Sequence, residues 1–135
     1  MLKLRVVEAQ RWTIVAICDD RGGCRVLDSL NQLERDSPRD FDQVVGELKR
    51  AALDGPLMSP KKSRPLGGKV YELKTRGGIR IPYFCDAGRL IVCTEAVRKP
   101  KPKEVRAVVA RAGADRERYF AAKRRSELVI IEEGQ

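Results

Sequence analysis

Apolar positions change rhythm several times along this chain, and each change predicts an element. Residues 12–18, WTIVAIC, are rich in β-branched side chains and predict a strand, with a further strand over residues 2–8, LKLRVVE. Asp19-Asp20-Arg21-Gly22-Gly23 predicts a loop. From Arg25 the spacing turns helical, and Val26, Leu27, Leu30 and Leu33 predict a short amphipathic helix over 26–35. Ser37 is then a helix N-cap, Pro38 suits the first helical position, and Asp40 and Asp42 favour the positive end of the helix dipole. Phe41, Val44, Val45, Leu48 and Ala52 make one apolar stripe, which Gly55 and Pro56 end. Residues 25–55 are therefore expected to form a helical hairpin with one apolar side.

Residues 56–68, PLMSPKKSRPLGG, read as a loop. Three β-like runs follow, at 69–75, 79–85 and 89–97, separated by turns at Arg76-Gly77-Gly78 and Asp86-Ala87-Gly88. Short glycine turns predict an antiparallel meander. Alternation places Ile79, Ile81 and Tyr83 on one face and Arg80, Pro82 and Phe84 on the other. One face is expected to cover the hairpin and the other to stay partly open. Pro82 lacks an N–H, so a bulge or an edge is expected there. Pro102 and Glu104 open a helix along Val105, Val108, Val109 and Ala112, with a break or bend expected at Gly113 and a second piece over 115–124. Leu128 to Ile131 are apolar enough to add a short strand or to dock on a partner. The expected fold class is α+β. A small antiparallel sheet (N-terminal strand plus meander) packs on a two-helix hairpin, with a C-terminal helix, as one domain over 1–125 and a tail over 126–135.

Composition adds that 135 residues suffice for one real core, with 42% apolar and 35% charged side chains. No stretch approaches the roughly 20 apolar residues of a membrane span. The N-terminus lacks the apolar core of a signal peptide, so a cytoplasmic protein with no membrane association is expected. The distribution of the +9 net charge changes the picture most. Residues 60–111 carry 14 basic and 4 acidic side chains, whereas 1–59 carry 9 and 10 and 112–135 carry 5 and 5. Such a concentrated basic segment is either a solvated face or a binding surface for a polyanion, of which nucleic acid is the commonest. Cys18, Cys24, Cys85 and Cys93 lack zinc-knuckle spacing, and the chain has no histidine, so inert buried thiols and no metal are expected.

The order of elements, with YELK at 71–74, IRIPYF at 79–84 and AVRKPKPKEV at 96–105, resembles the RelE/ParE toxin superfamily, and within it the phage Gp49-like, HigB-type branch. The resemblance spans about residues 12–112. It departs from the family pattern at Lys74, where the family has arginine, at Pro82, where an apolar residue is usual, and at Thr94, where a histidine is often found. The resemblance implies a RelE-like fold and a toxin of a type II toxin–antitoxin pair. It further implies a ribosome-dependent endoribonuclease that cuts mRNA without metal or cofactor, silenced by a helix-turn-helix antitoxin. The alternatives are an inhibitor of a host protein such as DNA gyrase, as in the ParE-like branch, and an RNA-binding module without catalysis.

Cleavage by 2′-OH attack on the adjacent phosphate needs a base, an acid and cations for the phosphorane. Arg80 matches the family's strand arginine, and its planar fork suits phosphate. Lys74 adds a point cation or serves as the base, and Glu95 and Tyr83 are further proton carriers. Lys61, Lys62, Arg64, Lys69, Arg76, Arg98, Lys99, Lys101 and Lys103 are the expected RNA contacts. Each has a plainer reading. Arg80 can pair with Glu72, Glu95 can be a salt-bridge partner, and Tyr83 can belong to the core.

Overall fold

A computed structural model describes residues 1–55 and 63–132. Strands β1 (Leu2–Ala9) and β2 (Thr13–Cys18) lead into helices α1 (Arg25–Asp36) and α2 (Pro38–Asp54). Strands β3 (Ser63–Gly67), β4 (Val70–Lys74), β5 (Ile79–Asp86), β6 (Leu90–Cys93) and β7 (Val97–Arg98) follow. Helix α3 (Pro102–Arg124) and strand β8 (Leu128–Ile131) complete the chain.

The fold is α+β, but its sheet is mixed rather than antiparallel. The strand order is β3-β4-β5-β6-β2-β1-β8, with β7 also paired to β5. β2 runs parallel to β6, and β1 parallel to β8. The meander has a physical reason to add to β2: Ile14, Val15 and Ala16 pair with Ile91, Val92 and Cys93, which joins two apolar runs in the middle of the sheet. Ser63–Gly67, expected as loop, is an edge strand whose Pro65 is tolerated at an edge position.

The two faces are covered differently. Ile14, Ala16, Leu73, Ile79, Ile81, Tyr83 and Ile91 pack with the apolar sides of α1 and α2. On the opposite face Leu4, Val15, Ile17, Phe84 and Val92 pack with Tyr119 and Ala122 of α3. The second face is thus partly roofed by α3. α3 runs unbroken through Gly113 for 23 residues. Tertiary packing along Val108, Ala112, Asp115, Tyr119 and Ala122 outweighs the roughly 1 kcal/mol that glycine costs a helix.

Local chemistry closes the elements. The Ser37 side chain accepts the Asp40 N–H, and Gly55 takes a φ of 91° as α2 ends. The Trp12 N–H donates to the Ala52 carbonyl at 2.7 Å, tying the β1–β2 turn to that helix end. Opposite Pro82 the ladder slips: Cys93 faces Tyr83, yet Val97 faces Arg80, so four residues span what three span on β5. This is the bulge that a proline without an N–H invites. All four cysteines are free thiols, and burial pushes Cys85 up to about 11 and Cys93 up to about 12. That keeps Cys85 and Cys93 protonated and unreactive at neutral pH.

One ion pair locks α3 to the end of β5. Asp86 accepts the Tyr119 hydroxyl and the Lys123 ammonium, both at 2.7 Å. Burial alone would raise its carboxyl, but the hydrogen bonds from Lys123 and Tyr119 outweigh burial and hold it below the usual range. A depressed carboxyl contributes stability above its unfolded pKa of about 3.9 and loses it as the pH falls through the folded value. Urea titrations should therefore show wild type more stable than Asp86→Asn at pH 7, with the gap closing as the pH drops below about 4.

Candidate nucleic-acid interface

The β4–β5 hairpin ends in a tight turn that brings distant cations to one end of the sheet. Gly78 adopts a φ of 83°, and the Lys99 N–H donates to its carbonyl at 2.8 Å. A Cβ on Gly78 would lie 2.8 Å from Lys99 Cγ, so glycine allows the β7–α3 segment to close on this turn. The turn is also held on α2, since the Gly77 N–H donates to Gln43 at 3.0 Å. Lys74, Arg76, Arg80, Arg98 and Lys99 are thereby gathered within one hairpin end and the segment that caps it. Lys101 and Lys103 continue the series as exposed residues at the start of α3.

These cations do not share one face. Lys74 pairs directly with Arg80 across β4 and β5, and Glu72 pairs with Arg64 on one side and Pro82 on the other. Arg64, Glu72, Lys74 and Arg80 therefore stand together on the face that α3 partly covers. Arg98 instead pairs with Ile79 and reaches Asp40 of α2 at 3.4 Å, on the hairpin side. The cations therefore form a rim: Arg80, Lys74 and Arg64 on one side of the sheet end, Arg98 on the other.

Arg80 is neither free nor sealed. Its side chain is 22% exposed and lies 3.7 Å from the Glu72 carboxylate. Lys74 is exposed and makes no ion pair among the described residues. Arg64, read as a loop cation, sits on β3, half exposed, with its Nε 2.5 Å from Glu72. Lys69 is exposed in the β3–β4 turn, and exposed Arg76 lines a shallow groove with Gln43, Gly46 and Arg50 of α2. Lys61 and Lys62 lie outside the described residues.

The structure moves the other two proposed proton carriers away from this rim. Tyr83 is fully buried on the hairpin side, 5.7 Å from the Tyr71 ring, and its hydroxyl is hydrogen-bonded to Ser63. Burial pushes that hydroxyl well above its ordinary range. A group held in the core and so hard to ionise has no route to a substrate, which corrects its assignment as a catalytic residue. Glu95 accepts two 3.0 Å hydrogen bonds from the Arg111 guanidinium and lies 3.7 Å from Arg25. It belongs to a junction of α1 and α3 completed by Asp115, which pairs with Arg25 and Arg118. Burial raises the Asp115 carboxyl against the pull of both arginines. The structure thus places Glu95 as a salt-bridge partner, the plainer of its two readings, with each oxygen accepting a hydrogen bond from Arg111.

Sequence reasoning missed that Arg64 and Arg80 meet at one carboxylate. The missing signal was the strand at 63–67: only β3 pairing brings Arg64 opposite Glu72. It also missed the Arg25–Asp115 pair, which joins residues 90 positions apart. Among the described residues no cluster of histidine, cysteine, aspartate and glutamate is arranged to hold a metal ion.

The sequence pattern of the family described as "Phage derived protein Gp49-like (DUF891)" matches residues 26–117. The match covers more than half of the chain, from α1 through most of α3, and takes in every cation of the rim. Comparison with curated proteins gives no significant match.

Proposed function

Because this chain belongs to the phage-derived Gp49-like family, we propose that it is a toxin whose target is RNA: a HigB-type, RelE/ParE-like endoribonuclease acting on translated mRNA. The observation that carries the reading is the gathering of Lys74 and Arg80 in one cross-strand pair, with Arg64 one pair further along the same face. Cations placed on a fixed sheet stabilise charge that grows on a phosphodiester without having to reorganise during the reaction.

In the proposed step, the 2′-oxygen loses its proton to a base and attacks the adjacent phosphorus. The bond to the 5′-oxygen breaks, and that oxygen takes up a proton. The products are a 2′,3′-cyclic phosphate and a 5′-hydroxyl. Arg80 and Arg64 hold the charged phosphorane, and guanidinium forks suit its paired oxygens. With Tyr83 in the core and Glu95 paired to Arg111, Lys74 is the proton carrier that remains at the rim. Arg76, Lys99, Lys101 and Lys103 hold the RNA backbone on either side. Under this reading a helix-turn-helix antitoxin silences the protein.

Induced expression of the chain without a partner should arrest growth and lower protein synthesis, with new RNA ends inside reading frames when cellular mRNA is mapped. Intact mRNA together with DNA breaks would replace this reading with inhibition of gyrase. Growth arrest with neither would point to a different protein target.

A further inference from the structure

We propose that Glu72 is a positioning residue: its sealed carboxylate holds the guanidinium groups of Arg64 and Arg80 side by side so that both grip one phosphodiester of an RNA backbone. The inference rests on the reading above, that this surface takes RNA.

Glu72 is 2% exposed, yet both of its partners reach the surface, Arg64 at 50% and Arg80 at 22% of the side chain. Leaving a carboxylate so deep costs free energy unless cations neutralise it. Here one oxygen, Oε1, serves both arginines, with Arg64 Nε at 2.5 Å and Arg80 Nη1 at 3.7 Å. Arg64 engages it through Nε, so the terminal nitrogens of its fork make no other hydrogen bond among the described residues. Arg80 likewise has no further partner among them. Two like charges this close would otherwise spread over separate rotamers. A carboxylate between them removes the repulsion and narrows the rotamers before RNA arrives.

Burial also defines what Glu72 does not do. It is too enclosed to reach a 2′-hydroxyl as a base. Nor does it serve affinity by charge, since one negative charge beneath a cationic surface weakens attraction to a polyanion. Its only route to helping RNA binding is geometric. Positioning and simple charge balance therefore predict effects of opposite sign.

The test uses a short single-stranded RNA with 2′-O-methyl groups, which binds but has no nucleophile. Affinity is measured between 50 and 200 mM salt for wild type, Glu72→Gln and Glu72→Asp, roughly the range over which phosphate neutralisation reveals itself. Glu72→Asp keeps the charge but withdraws the carboxylate by one methylene. We expect both variants to bind more weakly, with the slope of log K against log salt shallower by about 0.7 for each phosphate no longer neutralised. Glu72→Asp at the wild-type slope, with Glu72→Gln binding more tightly, would overturn the positioning role while leaving RNA binding intact. A wild-type protein that does not bind the RNA would overturn the functional reading and this inference with it. Thermal melts check folding. Should both variants unfold, Arg64→Lys on the exposed edge strand keeps the charge but removes the Nε hydrogen bond to Glu72. It is then expected to show the same shallower slope, and a wild-type slope in it would reject the proposal.

Discussion

Arg80→Ala is expected to lower RNA cleavage by about 100- to 1,000-fold, the usual cost of removing one preorganised donor from a developing oxyanion. The same change should restore growth to cells expressing the protein. Arg80 stands directly opposite Lys74 and beside Glu72, at the centre of the cation cluster. Its removal also leaves Glu72 with Arg64 as its one remaining partner among the described residues. Some loss of stability is therefore expected alongside the loss of activity, because a buried carboxylate is deprived of a cation. A denaturation curve separates the two effects: a folded Arg80→Ala protein that still arrests growth at wild-type potency would remove Arg80 from the site. Arg80→Lys sharpens the result. Lysine keeps the charge without the fork, so activity between that of wild type and alanine identifies bidentate phosphate recognition. Lys99→Ala on the rim should have only a modest effect by comparison, since it removes one exposed cation among several.

Phe84→Ala is expected to destabilise the fold by about 3–5 kcal/mol. That is a large part of the roughly 5–15 kcal/mol by which domains are stable. Phe84 is fully buried and pairs with Val92 in the sheet. Its ring lies 5.2 Å from that of Tyr119 in an edge-on arrangement and 6.0 Å from that of Phe120. It is the main aromatic anchor between the sheet and α3, so truncating it removes dispersion attraction and leaves a void beside Tyr119 and Phe120. Urea unfolding followed by circular dichroism should show the midpoint fall. Ile130→Ala, at a side chain 56% exposed on β8, is the control and should change stability by no more than about 0.5 kcal/mol. Equal effects at the two positions would contradict the packing described for this face.

Much of the local structure was legible because it follows from local rules. Ser37-Pro38 marks the start of α2, and Gly55 its end. The alternation in Ile79–Phe84 divides those residues between the two cores as the strand period requires. Pro82 announced the bulge opposite it. What was not legible depends on residues far apart in the chain. Nothing in SRPLG marks an edge strand, since its proline and glycine argue for a loop, and so the Arg64–Glu72 pair was hidden. The face of Arg98 turned on a one-residue bulge, which reverses every side chain beyond it. Tyr83 and Glu95 looked available as proton carriers because their partners, Ser63 and Arg111, lie 20 and 16 residues away.

By itself the sequence determined most of the elements, their order and the confinement of the excess positive charge to residues 60–111, because period, punctuation and charge are properties of short stretches. Only the tertiary structure decided which cations meet. Strand pairing, one bulge and the closure of the β7–α3 segment on Gly78 set the register, and register alone places Arg64, Lys74 and Arg80 around Glu72 while sending Arg98 to α2. Side chains on a sheet have neighbours set by the partner strand, and that information is not local to any run of residues.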